Sequence, residues 1–170
     1  NMQQITKVLR PAFVPRPGYV IADFDLSQIE LRIAAFISRC EPMIAAFQRG
    51  DDLHTMLAGR ITSKMNNLSA VTPEERQAGK SANFGLLYQM SAMGFRSYAE
   101  TVYDVSFTRR EAEDIHRAFF EMWTGMREWH SRSISRAHKT GQVLSPIGRV
   151  RRLPGIYSGH DAKVLSLIHI

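Results

Sequence analysis

Four residues carry the first chemical suggestion. Arg76, Lys80, Phe84 and Tyr88 recur every four positions in a segment that opens on Thr72-Pro73-Glu74-Glu75. Thr72 suits a helix N-cap, Pro73 the first helical position, and Glu75 the reciprocal partner of a capping box. A helix is therefore expected from Thr72 to about Gln89. On it the four side chains form one slowly drifting stripe, about 18 Å long at ~1.5 Å per residue. Two cations lead and two aromatics follow. Cations suit a phosphate chain, and flat apolar rings suit a sugar or a base. One helix face could hold a whole nucleotide. A solvated Arg/Lys edge beside a core-facing Phe and Tyr would give the same pattern.

A second group lies in VIADFDLSQIELR, residues 20–32. Val20-Ile21-Ala22 reads as a buried strand, expected over residues 19–25, and it runs straight into Asp23 and Asp25. Leu26, Ile29 and Ile33 then fall at helical spacing. Carboxylates where a core strand turns into a helix can cap the helix, form a buried ion pair, or do chemistry.

Several elements must position these groups. Residues 1–19 are irregular, broken by Pro11, Pro15, Pro17 and Gly18. Residues 28–49 read as one or two helices, interrupted near Glu41-Pro42. Asp51 is the expected N-cap of a helix through Leu53, Met56 and Leu57. Residues 62–71 are loop-like. Thr108-Arg109-Arg110-Glu111 repeats the capping signature and opens a helix with Ala112, Ile115, Phe119, Met122 and Trp123 on its apolar face. A further helix, about 126–139, should stop at Gly141. QVLSPIGRVRRLPG reads as a hairpin turning at Pro146-Ile147-Gly148.

Lys and Arg number 22 against 16 Asp and Glu, a formal charge of +6, which favours polyanionic partners with nucleic acid first. The sole cysteine, Cys40, cannot form an internal disulfide, which fits a reducing compartment. No apolar stretch is long enough to span a membrane and no signal peptide opens the chain, so a cytoplasmic setting is expected.

DLSQIELR (25–32) and RQAGKSANFGLLYQMSAMG (76–94) resemble motifs A and B of the family A DNA polymerases, the bacterial DNA polymerase I and phage replicase group. Those motifs read D-Y-S-Q-I-E-L-R and R-x-x-x-K-x-x-x-F-G-x-x-Y-G. NMQQI, RPAF, DDLHT and SPIGRVRRLPGI extend the similarity over nearly the whole chain. The resemblance implies a helix-dominated α/β fold, part of a right-hand polymerase. Residues 1–60 would be partial palm, 61–140 fingers, and 141–164 a hairpin returning to the palm.

It also implies roles. Asp25 matches the motif A aspartate that binds both magnesium ions, with the Leu26 carbonyl helping to hold one. Magnesium takes carboxylates and phosphate oxygens together, and a metal pair clamps an in-line displacement. Glu30 matches the steric gate that crowds the sugar 2′ position. Arg76 and Lys80 match triphosphate contacts, and Lys80 is also the candidate acid for the pyrophosphate leaving group. His54 matches a further phosphate contact, with a surface histidine as the plain alternative. Phe84 matches the position that packs on the incoming sugar, and Tyr88 the aromatic that stacks at the template insertion site. Gln28 matches a position near the nucleotide. Arg32, Asn83 and Arg149 match positions near the active site or duplex, in contact or in support, and Arg10 is a further candidate for DNA or phosphate. Asp23 has no catalytic match. The implied substrates are primer-template DNA and deoxynucleoside triphosphates.

Departures from the family pattern are informative. Leu26 replaces a common Tyr, which matters little if its ligand atom is a backbone carbonyl. Gln89 replaces the usual Gly after the motif B Tyr, and this should alter how that helix ends. The family's second catalytic aspartate lies in a His-Asp-Glu motif that does not occur here; GHDAK at 159–163 continues with Ala. The chain is therefore expected to be a truncated part of a polymerase domain, inactive or nearly so alone and marginally stable, with residues 165–170 a non-native tail. Two rivals remain: a single-subunit RNA polymerase relative, against which Glu30 argues, and a nucleic-acid-binding remnant without chemistry.

Overall fold

The computed structural model describes residues 5, 8–22, 24–154 and 156. Asp23, most of NMQQI, GHDAK and the 165–170 tail lie outside the described residues. Among the described residues, seven helices and one small hairpin make up the regular structure: α1 (Ile29–Ser38), α2 (Glu41–Arg49), α3 (Leu53–Ile61), α4 (Pro73–Leu87), α5 (Ala92–Tyr103), α6 (Arg109–Met122), α7 (Thr124–Thr140), β1 (Gln142–Leu144) and β2 (Val150–Arg152). Short 3-10 turns lie at Arg10–Ala12 and Leu68–Ala70.

Local sequence explains most boundaries. Thr72 Oγ1 accepts from Glu75 N while Glu75 Oε2 accepts from Thr72 N, so the capping box that opens α4 is complete. Thr108 and Glu111 repeat it on α6. Pro42 lies in the first turn of α2, which accounts for the break after Ser38. Gly141, at φ +63°, ends α7 in the left-handed conformation. The hairpin pairs antiparallel with Val143 opposite Arg151. Helix α5 had no expectation from sequence; Ser91 caps it by accepting from Gly94 N.

Two expectations are corrected and one alternative is removed. The described residues of the 19–25 run, 19–22 and 24–25, form no strand, and Val20 stands 87% exposed. A strand exists by pairing, and among the described residues no ladder runs beside this run to take its N–H and C=O groups. The cap of α3 is Asp52, not Asp51: Asp52 Oδ1 accepts from His54 N at 2.9 Å and Thr55 N at 3.4 Å, while Asp51 turns back to Arg49. And His54 is not a surface histidine, since it is buried at the start of α3.

The core is shared by all seven helices. Leu31 of α1, Met43 of α2, Leu53 and Leu57 of α3, Leu86 of α4, Phe95 of α5, Phe119 of α6 and Met126 of α7 are fully enclosed around Trp123, which links α6 to α7. The closest helix pair is α3 with α4: a side chain at Gly79 would place its Cβ 2.3 Å from the His54 carbonyl oxygen. A second small core joins Ala137, Leu153 and Ile156, seating the hairpin on α7. Val20, Phe24 and Phe36 leave an apolar surface open around the approach to α1.

Candidate nucleotide-binding site

Helix α4 is buried at Gly79, Ser81, Ala82, Asn83, Gly85, Leu86 and Leu87. Arg76, Lys80, Phe84 and Tyr88 are the half-open edge left over. Three of the four face a cavity of about 440 Å³, lined by Asp25, Leu26, Ser27, Gln28, Ile29, Glu30, His54, Arg76, Lys80 and Phe84. The Asp25 segment, the α3 N-terminus and the α4 stripe thus meet in one place, although some fifty residues separate Asp25 from Arg76 in the chain.

The loop before α1 is fixed to α3. Gln28 takes up a left-handed conformation, φ +51°, and its Oε1 accepts from Leu53 N at 3.1 Å. That bond ties the start of α1 to the start of α3. The Leu26 carbonyl accepts from Ile29 N at 3.2 Å, which leaves its second lone pair for another partner. Glu30 lies in the first turn of α1 and is exposed to the cavity.

Electrostatics divide the cationic side into two. Arg76 is held by Asp52, whose Oδ2 accepts from Nε at 2.7 Å and pairs with Nη2 at 2.6 Å. Burial pushes the Asp52 carboxyl up, but the Arg76 hydrogen bond and charge outweigh it and hold the group below its ordinary value. Lys80 forms no ion pair among the described residues; its Nζ lies 6.0 Å from the Phe84 ring centroid. His54 tilts against Phe84 at 5.5 Å. Burial pushes the His54 imidazole down to about 4, aided by the charges of Arg76 and Lys80 against the opposing pull of Asp52. At neutral pH the ring is uncharged.

The remaining candidates lie elsewhere. Tyr88 closes α4, half-buried, and burial, followed by the negative charge of Glu30, pushes its hydroxyl up. Asn83, expected near the duplex, is fully enclosed and has no side open to a ligand: its amide is used by Leu53, His54 and Trp123. Arg32 stacks over Phe47 at 4.4 Å and donates from Nε to the Ser27 carbonyl, bracing the loop that carries Asp25. Arg149 is exposed in the hairpin turn and Arg10 in the N-terminal segment, and neither lines the cavity. Sequence alone gives Asp52 no role and places Trp123 only on the apolar face of its helix. Asp52 competes with an identical neighbour, and nothing local signals that the Trp123 N–H has an inward partner. A second cavity, about 470 Å³, runs between α3 and α6, where Arg60 pairs with Glu121 and Arg117 with Asp114.

Comparison with known proteins shows the family and the fold. The family model described as DNA polymerase family A matches residues 1–165. DNA polymerase I of Aquifex aeolicus (strain VF5) is 36% identical over 143 residues, 84% of this chain and 25% of that protein. The thermostable DNA polymerase I of Thermus aquaticus is 32% identical over 159 residues, 94% of this chain and 18% of that protein. A solved structure, the POL domain of Pol1 from M. smegmatis in complex with DNA primer-template and dNTP, superposes with a TM-score of 0.71 at 32% identity, covering 85% of this chain and 24% of that one. The chain spans a quarter or less of the length of each of these relatives. The fold is that of part of a polymerase domain. The chain belongs to DNA polymerase family A, a family of DNA-directed nucleotidyltransferases.

Proposed function

We propose that the cavity between the Asp25 loop, α3 and α4 receives the incoming deoxynucleoside triphosphate of template-directed DNA synthesis. The observation that carries this is the convergence of Asp25, Glu30, His54, Arg76, Lys80 and Phe84 on one opening. Phosphates lie against Arg76, Lys80 and His54, where two cations and a neutral donor face them. The sugar packs on Phe84, and Glu30 crowds its 2′ position. Tyr88 serves the template side at the end of α4. In this division residues 1–60 belong to the palm, 61–140 to the fingers, and the β1–β2 hairpin leads back toward the palm, with 157–164 outside the described residues. Arg10, Arg32 and Arg149 supply positive charge for primer-template DNA, and the setting is the cytoplasm.

Asp25 and the Leu26 carbonyl are hard oxygen donors, the kind magnesium accepts alongside substrate phosphates. Among the described residues no three His, Cys, Asp or Glu side chains gather into a metal cluster, so this donor set fits a metal shared with the nucleotide and with a further carboxylate, rather than a cage built by this chain alone. When bound, two magnesium ions supply Lewis-acid stabilisation of charge on the phosphates. The primer 3′ oxygen gives up its proton to solvent and bonds to the α-phosphorus as the bond from that phosphorus to the bridging oxygen breaks and pyrophosphate leaves. Arg76 orients the triphosphate, steadied by Asp52, and Lys80 Nζ delivers a proton to the leaving oxygen.

Equilibrium dialysis with labelled dATP and magnesium chloride tests the reading. Removing one charge-assisted phosphate contact costs about 1.5–3 kcal/mol, so Lys80→Gln should weaken dATP binding roughly 10–100-fold. Deoxyadenosine, which lacks phosphates, should be indifferent to that change. Glu30→Ala should admit ATP more readily relative to dATP. Binding of dATP that ignores Lys80→Gln sinks the assignment.

A further inference from the structure

Behind the cavity a line of hydrogen bonds runs from the α6–α7 corner to His54. Trp123 Nε1 donates to Asn83 Oδ1 at 3.3 Å. Asn83 Nδ2 donates to the Leu53 carbonyl at 3.0 Å and lies 3.2 Å from His54 Nδ1. Trp123 is 1% exposed, Asn83 0% and His54 3%, so water offers no ready substitute partners.

The inventory of donors and acceptors leaves one solution. The Leu53 carbonyl can only accept and the Trp123 indole N–H can only donate. Turning the Asn83 amide over would set oxygen against oxygen at Leu53 and N–H against N–H at Trp123. The amide is therefore fixed with its NH2 toward α3. One N–H goes to Leu53, and the other meets His54 Nδ1, which must be an unprotonated acceptor. A neutral imidazole with a bare Nδ1 carries its proton on Nε2. Because Nδ1 is taken, Nε2 is the ring's remaining polar edge, and His54 lines the cavity beside Arg76 and Lys80.

We propose that Trp123 and Asn83 are positioning residues that lock His54 as the Nε2–H tautomer, so that the ring meets a nucleotide phosphate as a hydrogen-bond donor. The inference rests on the nucleotide reading of the cavity. The opposite tautomer would turn a lone pair toward an anion and repel it. The lock lets an uncharged ring, whose burial resists a proton, still serve a negatively charged ligand. It also ties a phosphate contact on α3 to the α6–α7 corner through the interior of α4. Trp123 thus bears on the site without touching a ligand.

Long-range ¹H–¹⁵N correlation spectra of the labelled 170-residue chain at neutral pH read the tautomer directly, with His54 assigned by its loss in His54→Gln. The expected wild-type pattern is a protonated Nε2 and a bare Nδ1. Trp123→Phe keeps the aromatic bulk and removes only the N–H, so it should mix the two tautomers and weaken dATP–magnesium binding about 5–10-fold, the share of one neutral hydrogen bond. Asn83→Leu should mix them further; if it does not fold, Trp123→Phe carries the test alone. Trp129→Phe, on the α7 indole beside His130, should leave both readings unchanged. A wild-type Nδ1–H tautomer with dATP still bound, or a Trp123→Phe spectrum identical to wild type, overturns this inference alone. A locked Nε2–H tautomer in a chain that binds no dATP overturns the nucleotide reading, and with it the purpose given to the lock.

Discussion

Asp52 offers a sharp test because its two oxygens have separate tasks. Oδ1 caps α3 through the His54 and Thr55 amides, and Oδ2 holds Arg76. Asparagine caps as well as aspartate but turns an NH2 toward the guanidinium, so Asp52→Asn should release Arg76 and keep the cap. Both partners are partly open to solvent, 42% and 33%, so the ion pair is discounted to about 0.5 kcal/mol. Asp52→Ala loses the pair and the cap together, the cap alone contributing about 1 kcal/mol. At roughly 2–4 °C per kcal/mol for a chain of this size, Asp52→Asn should lower Tm by about 1–2 °C and Asp52→Ala by about 3–6 °C. Far-UV circular dichroism melts at neutral pH measure both. Equal losses in the two variants, or no loss in Asp52→Ala, would refute the division of labour between the oxygens.

Three further expectations concern the end of α4, the buried histidines and the α4–α5 contact. Gln89 adopts φ +59° where α4 ends, with Gln89 N bonded to the Leu86 carbonyl and Met90 N to that of Gly85; glycine there removes a left-handed strain of about 1–2 kcal/mol against an unfolded-state cost of about 0.5–1 kcal/mol. Gln89→Gly should therefore raise the urea midpoint slightly, and an unchanged or lower midpoint contradicts the strain. His54, lowered to about 4 from an ordinary 6.5, resists a proton that the unfolded chain accepts; folding stability is whole above pH 6.5 and is lost as pH falls toward 4, by up to about 3 kcal/mol. Burial lowers His116 and His130 in the same direction, so urea midpoints should drop between pH 7.5 and 5, and His54→Gln should flatten part of that slope. A Cβ on Gly85 would lie 3.1 Å from Phe95 and 3.2 Å from Tyr98, so Gly85→Val should cost about 2–3 kcal/mol by forcing α5 off α4; a wild-type melting curve would show that the contact yields freely.

Features written in local chemistry are legible along the chain. The capping boxes of α4 and α6, the break at Pro42, the stop at Gly141 and the turn after Leu144 each depend on a few neighbouring residues whose hydrogen bonds close within one turn, so spacing alone reveals them. The stripe of Arg76, Lys80, Phe84 and Tyr88 was legible for the same reason, because helical period fixes which side chains share a face. Tertiary structure decided everything that needs a partner distant in the chain. Val20-Ile21-Ala22 has strand composition but no ladder beside it among the described residues, and apolar character without pairing makes no strand. Asp51 and Asp52 are equivalent caps on paper; in the fold Asp51 pairs with Arg49, while Asp52 caps α3 and holds Arg76, brought in by the packing of α4 on α3. Asn83 carries the look of a polar contact residue and is enclosed, because the α6–α7 corner sets Trp123 over it. That Asp25 faces the cationic stripe at all is a property of how α1, α3 and α4 pack, and no interval of residues between Asp25 and Arg76 encodes it.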